Sequence, residues 1–220
     1  MSAQPDFTLY SFWRTSATYR VRVALNLKGI TALEKNINLD TGEQRSAEFC
    51  AINPLAAIPA LIQAGHPPLT QSMAILEFLD EFAPQPALLP QDIHARARVR
   101  SIAGMLISDT HPLITPRVKK YLTTTGGFDD TAWRAWQMQW FGTGMAALEQ
   151  RLAADSQTGK FCHGNQVTIA DICLASIVVV MRVFKIPNVG TPTIDRIMAT
   201  CEQLDAFTKA NPMVQIGAPV

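Results

Sequence analysis

Along the first eighty residues the apolar positions switch repeatedly between a two-residue and a helical period. Phe7-Thr8-Leu9-Tyr10 is a short β-favouring run. A polar loop over residues 14–18 then leads into residues 19–29, where apolar residues at 21, 24, 25 and 27 fit a helix and Gly29 supplies its C-terminal stop. Residues 33–39 read as a second strand. Residues 46–52 read as a short helix closed by Asn53-Pro54, because the residue before a proline avoids the α region. Ile58-Pro59-Ala60-Leu61-Ile62 and Pro68-Leu69-Thr70 flank an Ala64-Gly65 turn and predict a hairpin. From Ser72 onward Met73, Ile75, Leu76, Leu79 and Phe82 share one broad helical face. The order is βαβαββα, too small for a dinucleotide fold and without Gly-x-Gly-x-x-Gly.

Residues 84–90 carry three prolines, which cannot continue a helix, and read as a linker. Beyond them the strand signals stop. Residues 93–122 and 129–154 are long helical patterns separated by Thr123-Thr124-Thr125-Gly126-Gly127, and His111-Pro112 predicts a kink in the first. Thr168-Ile169-Ala170-Asp171 has the spacing of a capping box, with Val167 and Ile172 at the staple positions. The expected architecture is α/β plus all-α: residues 1–83, the linker 84–90, and an all-helical domain over 91–220. Trp133, Trp136 and Trp140 recur at three- and four-residue spacing and read as core or domain-interface anchors, while Arg96, Arg98 and Arg100 read as a solvated helix face.

Composition narrows the function classes. With 48% hydrophobic residues in 220, the chain can bury a core, and a net charge of +1 argues against a nucleic-acid partner held by phosphate neutralisation. No apolar run reaches the ~18–20 residues of a membrane span; the longest, residues 172–180, is interrupted by Ser176. The first six residues lack the basic and apolar regions of a signal peptide, so a cytoplasmic protein is expected. Cys50, Cys162, Cys173 and Cys201 are scattered, as are His66, His94, His111 and His163, so neither a disulfide framework nor a bound metal is expected.

Three features of the first domain point to one ligand. The loop before the first helix is polar, and that helix's N-terminus offers free amides and partial positive charge. Proline at Ile58-Pro59 removes a donor, and a cis bond there would turn the preceding backbone groups outward toward a peptide-like ligand. Gln71-Ser72 opens another helix and offers a hydroxyl, an amide side chain and N-terminal amides to a carboxylate. Taken singly, Ser72 reads as a simple N-cap. Together the three suit an anion with a peptide backbone.

In this order they resemble the glutathione transferases, and residues 10–25 (Tyr10-Ser11-Phe12-Trp13-Arg14-Thr15-Ser16-Ala17-Thr18-Tyr19-Arg20-Val21-Arg22-Val23-Ala24-Leu25) resemble the signature of the zeta class. Ala51-Ile52-Asn53-Pro54, Leu88-Leu89-Pro90-Gln91-Asp92, Gly164-Asn165 and Leu204-Asp205-Ala206-Phe207 extend the likeness over nearly the whole chain. The resemblance implies a thioredoxin-like N-terminal domain, a helical glutathione-transferase C-terminal domain and a homodimer. It also implies an isomerase of the maleylacetoacetate or maleylpyruvate type, working in aromatic amino acid or gentisate breakdown with glutathione as a cofactor returned unchanged. Residue by residue, Ser16 matches the serine that stabilises the thiolate and Thr15 the serine before it. Gln44, Ile58, Pro59, Gln71 and Ser72 match positions that hold glutathione, and His111 stands where a second-domain glutamine often contacts it. Ala17 replaces the usual cysteine, which tells against a covalent role for a protein thiol.

The magnitudes agree with that chemistry. A thiol of pKa ~8.5 is only slightly ionised at neutral pH, and lowering that value by about two requires ~2.7 kcal/mol. A hydroxyl donating to the anion contributes ~1.5–3 kcal/mol and a helix N-terminus ~0.3–1. A dicarboxylate substrate also needs cations, for which Arg14, Arg117 and Arg182 are the candidates, since a guanidinium matches a carboxylate bidentately. The alternative within the same fold is conjugation or dehalogenation of small electrophilic acids.

Overall fold

The computed structural model describes residues 6–219, which divide into two compact units. One runs through Leu88 and takes up the chain again from Gln203; the other is Leu89–Glu202. The expected all-helical domain of 91–220 thus differs from the observed unit, which stops at Glu202.

In the first unit β1 (Phe7–Ser11), β2 (Ala32–Asn36), β3 (Ala60–Gln63) and β4 (Leu69–Thr70) form one sheet in the order β2-β1-β3-β4. Strand β2 runs parallel to β1, which requires the crossover supplied by α1 (Ser16–Lys28); β3 pairs antiparallel with β1 and with β4. Leu9 is buried at the centre of the sheet, and Val21, Val23 and Ala24 of α1 are buried with Ile75, Leu76 and Leu79 of α3 (Ser72–Phe82). The short α2 (Ala47–Ile52) is capped by Ser46, whose hydroxyl accepts from Phe49 N. Strand β2 ends at Asn36, short of the expected residue 39. There Asn38 turns the chain, its side chain accepting from Asp40 N while its own N–H donates to Glu43. Helix α1 also departs from its sequence pattern, because every residue from Thr18 to Leu25 is buried, including Arg20 and Arg22. Arg22 is accommodated by Glu34, which it meets through Nε and Nη2 at 2.8–3.1 Å. The chain's last stretch carries α9 (Asp205–Thr208), which lies against α1; Asn26 donates to Ala206 O at 3.0 Å, and Phe207 is buried.

In the second unit the expected helix over 93–122 is broken rather than kinked. Helix α4 (Ile93–Gly104) passes into a π-helical turn, Met105–Thr110, and a 3-10 turn, His111–Ile114, before α5 (Pro116–Thr124) starts afresh. Pro112 and Pro116 each lack the N–H that a continuous helix needs, and Thr110 Oγ1 donates to the Met105 carbonyl at 2.9 Å. Helix α6 (Asp130–Ala154) is capped by Asp129, and its Gly144 sits directly over that turn: a Cβ there would lie 2.3 Å from Thr110 Oγ1. Gly144→Ala is therefore expected to destabilise the protein by about 1–3 kcal/mol through overpacking, read as a lower melting temperature. An unchanged value would show that Thr110 can swing aside.

Trp133 is buried, and Trp136 donates to the Leu113 carbonyl while packing edge-on against Trp140, in keeping with a role as core anchors. Arg98 corrects the reading of a solvated face. It is nearly buried and bonds Asp155 (2.7 Å), the Cys162 carbonyl (2.7 Å) and Thr158 Oγ1 (3.0 Å), and the hydrogen bond it donates holds the Asp155 carboxyl below its usual range. Helix α7 (Ile169–Val183) is buried from Ile169 to Met181 and starts at the expected capping box. Asp171, wholly buried, accepts from Thr168 N, Thr168 Oγ1 and Cys162 N at 2.7–2.8 Å. Helix α8 (Pro192–Cys201) follows. None of the four cysteines forms a disulfide, and burial pushes the thiols of Cys162 and Cys201 up. Among the described residues no helix is long and apolar enough to cross a membrane.

Candidate functional site

The sheet register gathers the candidate residues of the first unit at one end. Ser11, the last residue of β1, stands beside Asn36, the last of β2; Tyr10 faces Ala60, the first of β3; and Ala60 faces Thr70, the last of β4. The loop of residues 12–15, the stretch after Asn36, the Ile58-Pro59 step and Gln71-Ser72 therefore all leave the sheet at that end.

Helix α1 begins at Ser16 itself, three residues before the expected start at residue 19, so the serine hydroxyl and the helix's free amides lie at the same point. Ser16 is 2% exposed, and its Oγ has no hydrogen-bond partner. Thr15 differs: its hydroxyl lies 2.6 Å from Thr18 Oγ1 and 3.3 Å from the Phe12 carbonyl, so it is engaged locally. Arg14 forms an ion pair with Asp40, including an Nη1–Oδ2 contact at 3.0 Å, and its guanidinium lies 5.2 Å from the Phe12 ring centre and 5.5 Å from that of Trp13.

Gln44, in a 3-10 turn (Glu43–Arg45) after β2, is 6% exposed, and its Oε1 is partnerless. Among the described residues three buried side-chain polar atoms lack a partner, and two of them, Ser16 Oγ and Gln44 Oε1, belong to residues expected to hold glutathione. A native interior seldom leaves such atoms unsatisfied, because each costs about 1–3 kcal/mol. One can donate to an anion and the other accept from an N–H, the complement of the acceptor and donor that a thiolate-bearing peptide offers.

The Ile58–Pro59 peptide bond is cis. Ile58 packs against the buried cluster of Tyr10, Phe49 and Ala60, and Asn53 shapes the loop before it by donating to the Ala57 carbonyl and accepting from Leu55 N. Gln71 occupies the N-cap position of α3 with φ +67°, a conformation that costs a non-glycine residue about 1–3 kcal/mol and that clusters at ligand sites. Ser72 is not the N-cap. It is the first helical residue, and its Oγ accepts from Arg20 Nε at 3.0 Å.

His111, Arg117 and Arg182 belong to the second unit. His111 opens the 3-10 turn and is half-buried. Arg182, late on α7, is ion-paired with Glu202. Arg117 is exposed in the first turn of α5 and forms no ion pair among the described residues, unlike Arg14 and Arg182. Sequence reasoning missed Arg20, Asp40 and Asn53. The signal for Arg20 was an arginine set between Tyr19 and Val21 on the face that the apolar period assigns to the core.

Residues 5–81 match the family described as the glutathione S-transferase N-terminal domain. A maleylpyruvate isomerase from Ralstonia sp is 40% identical over 207 residues, 94% of this chain and 97% of that one. The structure of a maleylacetoacetate isomerase from Methylobacterium extorquens AM1 with bound malonate and glutathione is 44% identical. It covers 97% of this chain and 100% of that chain, with a TM-score of 0.95. The holo structure of maleylpyruvate isomerase, described as a bacterial glutathione transferase of the zeta class, is 38% identical over 96% of this chain and 100% of that chain, with a TM-score of 0.93. With its signature loop, its partnerless buried serine and these relatives, the chain belongs to the zeta class of glutathione transferases.

Proposed function

We propose that the chain is a glutathione-dependent cis–trans isomerase that converts maleylacetoacetate or maleylpyruvate into the fumaryl product. The observation that carries this reading is the buried, partnerless Ser16 hydroxyl on the first turn of α1. When bound, glutathione would supply a thiolate nucleophile for reversible addition to the cis double bond, the chemistry by which that bond can turn. Ser16 donates to the sulfur and, with the α1 amides, favours its ionised form. Gln44 Oε1 accepts from an N–H of the tripeptide, Ser72 and the first amides of α3 meet a carboxylate, and Ile58, Pro59 and Gln71 complete its recognition within the first unit. No proton is gained or lost overall.

The substrate is a dicarboxylate, and the structure of the Methylobacterium relative holds bound malonate and glutathione. Of the three candidate arginines, Arg14 and Arg182 are neutralised by Asp40 and Glu202, so Arg117 is the cation we assign to a substrate carboxylate. A cytoplasmic homodimer belongs to the same reading and is checked by the mass of the protein in solution.

The test follows the absorbance of both acids with and without glutathione, in the wild type and in Arg117→Ala. Glutathione-dependent turnover is expected, and the relative efficiencies name the acid. Arg117→Ala should raise KM for the acid about tenfold, the loss of one charge-assisted contact, and leave that for glutathione nearly unchanged. Equal effects on both constants would remove Arg117 from the substrate. Turnover of neither acid, with glutathione still bound, would turn the reading to conjugation or dehalogenation.

A further inference from the structure

Arg20 lies in the middle of the buried run of α1 and is 2% exposed, beside Tyr19 and Val21. Burying a guanidinium is costly, and an apolar side chain of similar volume would serve the packing as well or better. The contact it makes is specific: Nε donates to Ser72 Oγ at 3.0 Å, across 52 residues of sequence. A hydroxyl carries one hydrogen and two lone pairs. With a lone pair taken by a fixed cationic donor, the Ser72 hydroxyl cannot donate back to Arg20, and its hydrogen is left for an acceptor elsewhere. The same contact polarises the O–H bond and makes it a stronger donor.

The surroundings define that acceptor. Ser72 is the first residue of α3, an eleven-residue helix whose N-cap, Gln71, offers no side-chain cap and stands at φ +67°. The free amides of the first turn and the Ser72 O–H are thus collected at one point with a guanidinium behind them, an arrangement complementary to a carboxylate. We propose that Arg20 is a positioning residue for glutathione: by holding Ser72 Oγ as an acceptor, it aims the hydroxyl hydrogen at a carboxylate of the tripeptide. Arg20 does not touch the ligand. The proposal rests on the glutathione reading above and adds to it a residue that acts through another.

The test measures glutathione affinity by calorimetry for the wild type, Arg20→Met, Arg20→Lys, Ser72→Ala and the Arg20→Met/Ser72→Ala pair, with melting temperatures recorded alongside. Arg20→Met is expected to weaken glutathione binding about tenfold, while turnover at saturating glutathione falls less than about threefold. Arg20→Lys, which keeps the charge and a donor, should recover part of the loss. In the Ser72→Ala background, Arg20→Met should weaken binding by no more than about twofold, because the two act as one unit. Two analogues, one lacking the γ-glutamyl carboxylate and one lacking the glycine carboxylate, identify the group involved: the one that binds wild type and Arg20→Met equally has lost it.

Wild-type affinity in a folded Arg20→Met, or losses that multiply fully in the double variant, would overturn the proposal. Should Arg20→Met fail to fold, Arg20→Lys decides: partial weakening that vanishes without Ser72 supports the proposal, and unchanged affinity overturns it. A wild type that does not bind glutathione overturns the functional reading itself and the proposal with it, an outcome distinct from binding that ignores Arg20.

Discussion

Ser16→Ala is expected to lower glutathione-dependent turnover about 100-fold, the scale of losing one preorganised donor to a developing or resident anion. Two effects add. The bound thiol loses a hydrogen bond made only by its ionised form, so its pKa should return toward ~8.5, visible as a rise in the thiolate ultraviolet titration midpoint. The sulfur also loses the group that fixes its direction. Glutathione affinity should change far less, because Gln44, Ser72 and the α3 amides remain in place. The fold should be indifferent or slightly more stable, since Ser16 Oγ is buried without a partner and its removal relieves that cost. Thr15→Ala is the internal control: its hydroxyl is already engaged by Thr18, so its loss should be much smaller. Full turnover in Ser16→Ala would remove the serine from the chemistry.

The largest expected effect on stability lies far from that chemistry. Asp171→Ala strands the N–H of Cys162 and both the N–H and the hydroxyl of Thr168 in a wholly buried position. Each orphaned donor costs about 1–3 kcal/mol, so a total of about 3 kcal/mol or more is expected. For a chain of this size that corresponds to a melting temperature lower by about 6–12 °C. Asp171→Asn keeps one acceptor oxygen and should lose less. The pH dependence gives a second check. Burial pushes the Asp171 carboxyl above its ordinary value of 3.8 despite the hydrogen bonds from Cys162 and Thr168 that favour its charge. The folded chain then holds this proton more tightly than the unfolded chain. The residue's contribution to stability is therefore fully present below the ordinary value and lost as pH rises through the raised one. The margin of wild type over Asp171→Asn should widen on acidification, and a margin that narrows would contradict the burial argument.

What could be read from the sequence was what local chemistry decides. Strand β1, helix α3, the capping box at Thr168 and the break around Pro84–Pro90 all follow from period, propensity and proline geometry, and the helix stop at Gly29 is a left-handed C-cap with φ +65°. What could not be read depended on partners distant in sequence. Arg98 is held by Asp155, 57 residues away, where a periodicity count assigns the charged residue to solvent; Arg20 lies on the face the period gives to the core, but its contact with Ser72, 52 residues away, is outside any local window. The interruption of the helix after Gly104 has the same character, since Pro112 signals a local kink but the close approach of Gly144 on α6 lies outside any local window. At the candidate site, the family signature names the candidates. Their engagement was not legible: only the fold shows Ser16 and Gln44 unsatisfied, Thr15 occupied and Arg14 already paired with Asp40.

The return of the chain to its first unit has a consequence for biosynthesis. Translation delivers the sheet and its helices first, yet α9, with Phe207 buried and Ala206 bonded to Asn26, emerges only after the whole helical unit has been made. The helical unit is in effect an insertion between the two pieces of the α/β unit. Until then the α/β unit stands with the α9-facing side of α1 uncovered, so its completion waits on the synthesis of the other unit.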